Sequence, residues 1–228
     1  MTATHNNLGH ARESAGISEH GIHAFAVAGL ESELRLARRV LDVGCGVGDF
    51  GQLWRARFPG RIDGVDGVRF DRFRADLYGD FFERDFDLPL EALPADAYDA
   101  VFILEVIHYL ENPRALVRRA ASLIKPGGLL VLTTPNPLSL PSLMVLMLRG
   151  VFRSFQDGPG RYPGQKTAIL PIDGERMARE AGLVVERMDY SGRCRLPRLT
   201  RPVQTWLPFL GGRSFSDNFR IVARKPAA

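Results

Sequence analysis

Apolar positions along the chain fall into two rhythms: short unbroken runs, and longer stretches with helical spacing. Val40–Val43, Ile62–Asp66, Tyr98–Leu104, Leu129–Thr133 and Leu183–Met188 are the runs, each with Gly or an acid on at least one side, and Phe219–Arg224 is a final run of alternating character. Runs of this length and β-branched content predict strands, and the near absence of polar alternation in Tyr98–Leu104 predicts a strand covered on both faces. Between them, Phe25, Val27, Leu30, Leu34 and Leu36 recur at helical spacing from Ile22 to Arg39. Phe50, Leu53, Trp54 and Phe58 mark a helix that stops at Pro59-Gly60. Leu116, Ala120, Leu123 and Ile124 mark another, started by Asn112-Pro113 and ended by Lys125-Pro126-Gly127-Gly128. Asp173 is expected to cap a fourth, which ends at Gly182. Strands alternating with helices predict an α/β domain. Residues 1–20 carry no period.

Chemistry concentrates where the first strand ends. Val40-Leu41-Asp42-Val43-Gly44-Cys45-Gly46-Val47-Gly48-Asp49-Phe50-Gly51 reads as a buried strand ending in an acid, a tight turn and the start of a helix. Its glycines let a ligand lie directly against the main chain, where a Cβ would forbid the backbone angle or the approach. The helix start adds unpaired N–H groups. Two ligand classes use such a turn. The dinucleotide fingerprint needs its third glycine at position 49, where this chain has Asp49, a carboxylate that would face a pyrophosphate. Asp66 ends the second strand, at the carboxyl edge of the sheet where open α/β folds bind ligands, and can accept from both hydroxyls of a ribose. An acid there serves either class, or simply caps a helix.

The pattern present, Asp-x-Gly-x-Gly-x-Gly, resembles the first motif of the class I S-adenosylmethionine-dependent methyltransferases. The order of strand, Glu105-x-x-His108, Asn112-Pro113 helix, Lys125-Pro126-Gly127-Gly128, strand and Thr133-Thr134-Pro135-Asn136 is similar to the branch holding ubiquinone-type O-methyltransferases and many sugar- or lipid-modifying relatives. The resemblance covers residues 35–136 and loosens outside them. It implies a Rossmann-like, doubly wound, seven-stranded, mostly parallel sheet with an antiparallel last strand and a helical lid. As a single domain, this would divide into an N-terminal cap (1–34), a cofactor-binding core (35–136), a lid (137–170) and the C-terminal part of the sheet (171–228). It further implies that Gly44, Cys45, Gly46 and Gly48 pass under the methionine part of S-adenosylmethionine, and that Asp42 helps hold its amino end through main chain or water. Asp66 and Gly67 would take the ribose, Asp85 the adenine amine, the main chain of Phe86 the ring, and Glu105 a further cofactor contact. Asp87 competes with Asp85 for the adenine role. The charge logic fits, because this cofactor carries an ammonium and a sulfonium and no phosphate.

Composition bounds the rest. With 228 residues and 45% hydrophobic content, the chain can bury one core with an appended lid but not two full domains. A net charge of +4 fits anionic surfaces or substrates, while no stacking pattern or helical reading head points to nucleic acid. Two cysteines, Cys45 and Cys194, suit a reducing cytoplasm without a structural disulfide. Residues 1–22 are polar and carry His5, His10 and His20, which reads as no secretory leader. These three and His23 lack ligand spacing, and Glu105 and His108 lack acidic company, so no metal is expected.

Methyl transfer is an in-line displacement at a carbon activated by sulfonium, so positioning carries much of the rate. An alcohol or phenol must also lose its proton, which a histidine near neutral pKa can take. His108 is therefore the candidate catalytic residue, against a ring packed beneath the next helix or one that orients substrate. From Leu138 to Phe155 the chain leaves the pattern with Leu143-Met144-Val145-Leu146-Met147-Leu148 and Arg149, Val151, Phe152, Arg153 and Phe155. The block is shorter than a membrane span of about 20 residues. It fits a lid helix, an interfacial helix with arginines at the headgroups, or a dimer surface. Residues 156–166, rich in Gly and Pro, form a hinge-like loop. Arg193, Arg195, Arg198, Arg201 and Arg213, interleaved with Leu196, Leu199, Trp206, Leu207, Phe209 and Leu210, fit an anionic lipid surface, a phosphorylated substrate or a solvated loop.

The expected function is methyl transfer from S-adenosylmethionine to a small-molecule or lipid-like acceptor, most simply at oxygen, in the cytoplasm with peripheral membrane contact. A nicotinamide-dependent oxidoreductase would share the strand-turn-helix, but Asp49 and the Glu105–His108 rim argue against it. A non-catalytic S-adenosylmethionine-binding partner protein would share everything except turnover.

Overall fold

A computed structural model describes residues 16, 21–87, 93–158, 164–196 and 201–227. Among them, seven strands form one sheet: β1 (Arg39–Val43), β2 (Arg61–Asp66), β3 (Phe81–Glu83), β4 (Tyr98–Leu104), β5 (Ile124–Pro135), β6 (Val184–Tyr190) and β7 (Asn218–Arg224). Their spatial order is β3-β2-β1-β4-β5-β7-β6. β7 runs antiparallel to both β5 and β6, and the other pairings are parallel. This is the doubly wound sheet expected from the sequence, with its last strand reversed. The chain order reverses between β1 and β4, so their carboxyl ends open the crevice where such sheets bind ligands.

Helices cover both faces because successive strand residues point to opposite sides. On one face α1 (Ile22–Val27), α2 (Glu31–Leu34) and α3 (Asp49–Arg57) bury Val27, Leu34, Phe50 and Trp54 against Val40, Ile62, Phe102 and Val131. On the other, α4 (Pro113–Leu123) and α6 (Pro171–Glu180) pack Leu116, Ala120 and Met177 against Leu41, Val101, Ile103 and Ile221. The remaining helix, α5 (Leu140–Arg149), buries only Pro141 and Ser142. The start of α4 follows from its sequence: Asn112 Oδ1 accepts from the Ala115 N–H at 3.1 Å, and Pro113 takes the first helical position.

Three local expectations are corrected. The helix anticipated over Ile22–Arg39 breaks after Val27, because Gly29 takes a left-handed φ of 70° and Leu36 turns out to solvent at 82% exposure. Asp173 does not cap α6; Pro171 opens that helix and the Asp173 N–H donates to the Leu170 carbonyl, placing the acid inside the first turn. β5 begins at Ile124 and not at Leu129, with the pairing slipping from Tyr98↔Ile124 to Ala100↔Leu129, so that Lys125-Pro126-Gly127-Gly128 is an irregularity within the strand.

A buried arginine locks α1 to the sheet. Arg220 on β7 donates from Nη1 to the carbonyls of Phe25, Ala26 and Ala28, at 2.7, 3.0 and 2.9 Å, and pairs with Asp189 on β6. Its guanidinium also lies 5.0 Å from the Phe25 ring centroid. The last carbonyls of a helix have no partner within it, and a cation at that end meets both the hydrogen-bond need and the dipole. Replacing Arg220 with Met is expected to cost about 3 kcal/mol, since it strands buried carbonyls. For a chain of this size that is a fall in thermal midpoint of roughly 6–12 °C, readable by circular dichroism melting; an unchanged midpoint refutes the role.

Candidate functional site

The turn from β1 to α3 is shaped by close approaches. Gly44 has φ 77°, and a Cβ there would sit 2.2 Å from Val106 Cγ2. Gly46 has φ 54°, and its Cβ would sit 2.2 Å from the Gly16 carbonyl oxygen, which accepts from the Val47 N–H. Gly48 is the left-handed residue from which α3 starts. The Val65 carbonyl accepts from the Gly44 N–H at 2.8 Å, stitching the turn to β2.

Two buried acids brace this turn from below. Asp66 Oδ2 accepts from the Gly46 N–H at 2.8 Å, and Oδ1 from the Val68 N–H at 3.3 Å, with Gly67 between them in sequence. Burial still raises its pKa. Asp42 accepts from the Tyr78 hydroxyl at 2.7 Å, and burial lifts it to about 7, opposed by the Tyr78 bond and aided by the charge of Asp66. The buried Cys45 thiol is pushed up by burial and by these two carboxylates. The charged groups acting on Asp42 and Asp66 are thus other acids, Glu83 included. Where they are ionised, these carboxylates make the site anionic.

Beyond β3, Asp85 and Asp87 part company. Asp87 Oδ1 accepts from the N–H groups of Glu111 and Asn112, at 3.1 and 3.0 Å, and so holds the loop before α4. Asp85 Oδ1 accepts from the Asp87 N–H at 3.0 Å, while its Oδ2 is buried with no hydrogen-bond partner among the described residues. A buried acceptor in that state is costly unless a ligand donates to it. Phe86 packs half-buried against the core beside it.

At the end of β4, Glu105 takes φ 60°, a left-handed conformation that a side chain resists. Its N–H donates to the Thr133 carbonyl at 3.1 Å, and its Oε2 accepts from Asn218 Nδ2 at 2.9 Å. His108 follows in a single 3₁₀ turn, Ile107–Tyr109, with Nδ1 3.3 Å from Thr134 Oγ1. At 1% exposure, burial lowers its pKa to about 3. The candidate proton acceptor is therefore an enclosed ring whose basicity burial reduces. Its carbonyl instead accepts from the Lys166 and Thr167 N–H groups, at 2.8 and 3.1 Å, tying the segment before α6 to the rim.

Asp42, Gly44, Cys45, Gly46, Gly48, Asp66, Gly67, Asp85, Phe86 and Glu105 all lie at or beyond the carboxyl ends of β1 to β4, on one rim. Tyr78, Thr133 and Asn218 join them, and sequence reasoning missed all three. Asn218 is 113 residues from Glu105 and reaches it because β7 starts where β5 ends, opposite Pro135. His23 packs with its ring 5.7 Å from Phe50, and burial lowers its pKa; His5, His10 and His20 lie outside the described residues.

Comparisons with known proteins agree with this geometry. Residues 16–197 match the family described as a methyltransferase domain. A ubiquinone biosynthesis O-methyltransferase of Xanthomonas axonopodis pv. citri is 32% identical over 68% of this chain and 65% of its own length. The chain thus spans somewhat less than two thirds of that relative. Among solved structures, a SAM-dependent methyltransferase from Archaeoglobus fulgidus superposes with a TM-score of 0.66 at 22% identity, over 94% of this chain and 97% of that one. A Burkholderia thailandensis 1,6-didemethyltoxoflavin-N1-methyltransferase, solved with its substrate and S-adenosylhomocysteine, gives 0.60 at 17% identity, over 91% and 80%. At those identities the two structures speak for the fold alone.

The buried His108 carries a pH signature. Its folded pKa of about 3 lies below the unfolded 6.5, so between these values only the unfolded chain binds the proton, and stability falls on acidification. Replacing His108 with Asn is expected to make the drop in thermal midpoint between pH 6.5 and 5 smaller than in the wild type. Parallel melting curves would show a ring already exposed if the two drops were equal.

Proposed function

The chain belongs to the S-adenosylmethionine-dependent methyltransferase family, and from that premise we propose that it transfers the methyl group to an oxygen of a small, lipid-like acceptor. The observation that carries the cofactor assignment is the buried, unpartnered Asp85 Oδ2, set on the same rim as a glycine turn underlain by acids. Asp85 Oδ2 would accept from the adenine amine beside Phe86. Asp66 would meet the ribose while keeping its bond to the Gly46 N–H. Gly44, Cys45, Gly46 and Gly48 would leave room for the methionine part, with the Asp42 carboxylate facing its ammonium. When bound, the cofactor supplies a methyl carbon already activated by its sulfonium; the protein's share is to hold two reactants in line and exclude water. Glu105, held by Asn218 and by its bonds to Thr133, would mark the boundary between cofactor and acceptor. For His108 we infer a positioning role, its ring shaping the acceptor wall from within. Acids lining the turn leave the nicotinamide reading without support.

The lipid-like acceptor rests on a surface. Met144, Met147 and Leu148 on α5 are exposed, as are Trp206, Leu207 and Phe209. Arg153 joins the two regions: its N–H donates to Ser142 Oγ, and its guanidinium to the Arg195 carbonyl and the Asp217 carboxylate. Arg149, Arg201 and Arg213 are exposed on the same segments. Exposed apolar side chains edged by arginines fit the headgroup zone of an anionic bilayer, and no described helix is long and apolar enough to cross one. Of the readings open for this block, we propose peripheral contact from the cytoplasmic side, which would let a greasy acceptor reach the rim. The likeness to the Xanthomonas ubiquinone biosynthesis O-methyltransferase supports oxygen as the target.

Incubation with S-adenosylmethionine labelled in its methyl group, alongside lipid and aqueous fractions of a cell extract, tests the reading. Label in a lipid-fraction product bearing a new methyl ether supports it; label only on nitrogen, or only in water-soluble products, refutes it. Replacing Gly44 with Ala, whose Cβ would strike Val106, is expected to weaken S-adenosylhomocysteine binding by roughly 5- to 150-fold by calorimetry, given strain on the order of 1–3 kcal/mol. Sedimentation with phosphatidylglycerol vesicles should be lost in Met147→Glu; equal sedimentation of both proteins would remove the membrane surface from the proposal.

A further inference from the structure

Tyr78 belongs to no motif, yet its ring fills a close slot beneath the glycine turn. It follows a 3₁₀ turn, Ala75–Leu77, in the crossing from β2 to β3. Its ring slides between three elements that each present a glycine. A Cβ on Gly51 of α3 would lie 2.5 Å from Tyr78 Cε2, one on Gly64 of β2 2.9 Å from Cδ1, and one on Gly48 of the turn 3.3 Å from Cε2. At the bottom of the slot the hydroxyl donates to Asp42 Oδ2 at 2.7 Å and accepts from the Gly51 N–H at 3.1 Å. The same segment is held to the turn by a second bond, from the Arg74 N–H to the Val47 carbonyl at 3.1 Å.

One hydroxyl therefore joins the acid near the end of β1 to the first turn of α3. Asp42 is fully buried, and the titratable groups that face it are Tyr78, Asp66 on β2 and Cys45 in the turn. None of these is a cation. Burial and the nearby Asp42 raise the Tyr78 pKa, so the hydroxyl keeps its proton and remains a donor. A hydrogen bond given to a carboxylate favours its charged form.

We propose that Tyr78 is a positioning residue of the cofactor site, whose hydroxyl keeps the Asp42 carboxylate ionised and oriented for the ammonium of the cofactor. The inference rests on the assignment of Asp42 made under Proposed function. Without that bond Asp42, already near 7, would hold a proton at neutral pH and lose its attraction for the ammonium. The glycines at 48, 51 and 64 then have a second use, since each leaves space for the ring that holds the acid.

Calorimetric titration with S-adenosylhomocysteine between pH 6 and 8.5, on wild type and Tyr78→Phe, tests this. Phe keeps the ring in its slot and removes only the hydroxyl. Wild-type affinity is expected to rise through a midpoint near neutrality. In Tyr78→Phe the midpoint should move up by about one to two pH units, as befits loss of a hydrogen bond to a charged group, with affinity at pH 7 roughly tenfold lower and the gap closing as pH rises. Equal midpoints overturn the proposal, whether affinities are equal or differ by a constant factor at every pH, because a purely structural loss does not follow pH. If Tyr78→Phe does not fold, Asp42→Asn takes its place: binding that keeps the wild-type pH profile overturns the proposal, and a weaker, pH-flat profile supports it. Wild type that binds no S-adenosylhomocysteine at any pH refutes the cofactor-site reading itself, which separates the two failures.

Discussion

A carboxylate buried near the end of a central strand must be given hydrogen-bond donors, or it takes up a proton and ceases to be an anion. The site of this protein is organised by that constraint. Asp66 meets it with main-chain N–H groups of the turn and of the residues after β2. Asp42 meets it with a phenol reaching in from the opposite side. The phenol needs room to reach in, and glycine stands at Gly51 and Gly64, where a Cβ would collide with its ring. The shape of the turn and the charge of the site are consequences of the same demand.

The sheet order supplies the rest of the rim. Parallel strands deliver their carboxyl ends to one edge, so the acids after β1, β2, β3 and β4 face a common crevice although they are spread from Asp42 to Glu105. The reversed strand β7 contributes its beginning to that edge, which brings Asn218 against Glu105. The left-handed backbone of Glu105 is held by bonds from its own N–H to Thr133 on β5. A strained residue at a strand end persists only where its neighbours over-determine it, and here two strands do so.

Outside the crevice the chain departs from a plain α/β layer. α5 lies almost wholly on the surface, with Met147 at 82% exposure and Phe209 of the neighbouring segment at 78%. These exposed side chains are the feature on which the proposed membrane contact rests. α1 is held the opposite way, its terminal carbonyls gripped by the buried Arg220, so the helix that flanks Phe50 and the turn is fixed to the far edge of the sheet. A rigid cofactor side and an outward apolar segment thus coexist in one domain.

The strands, the first turn and the family resemblance were legible in the sequence because they depend on local facts: apolar runs, glycine spacing, and a cap such as Asn112-Pro113. The sheet order followed from the family likeness, not from any residue pattern. What tertiary structure alone decided concerns environment. His108 has the residue type of a base, but burial under the rim takes its pKa down to about 3. Asp85 and Asp87 are alike in sequence, and only the position of the loop before α4 assigns one of them to main-chain donors. Tyr78 and Asn218 carry no pattern, since their partners lie 36 and 113 residues away and are met only when the sheet forms. Whether α5 faces the core or the water was equally unreadable, because an apolar helix has the same sequence in either place. Periodicity reports how a segment folds on itself; burial and donors, which set charge, come from parts of the chain that no local window contains.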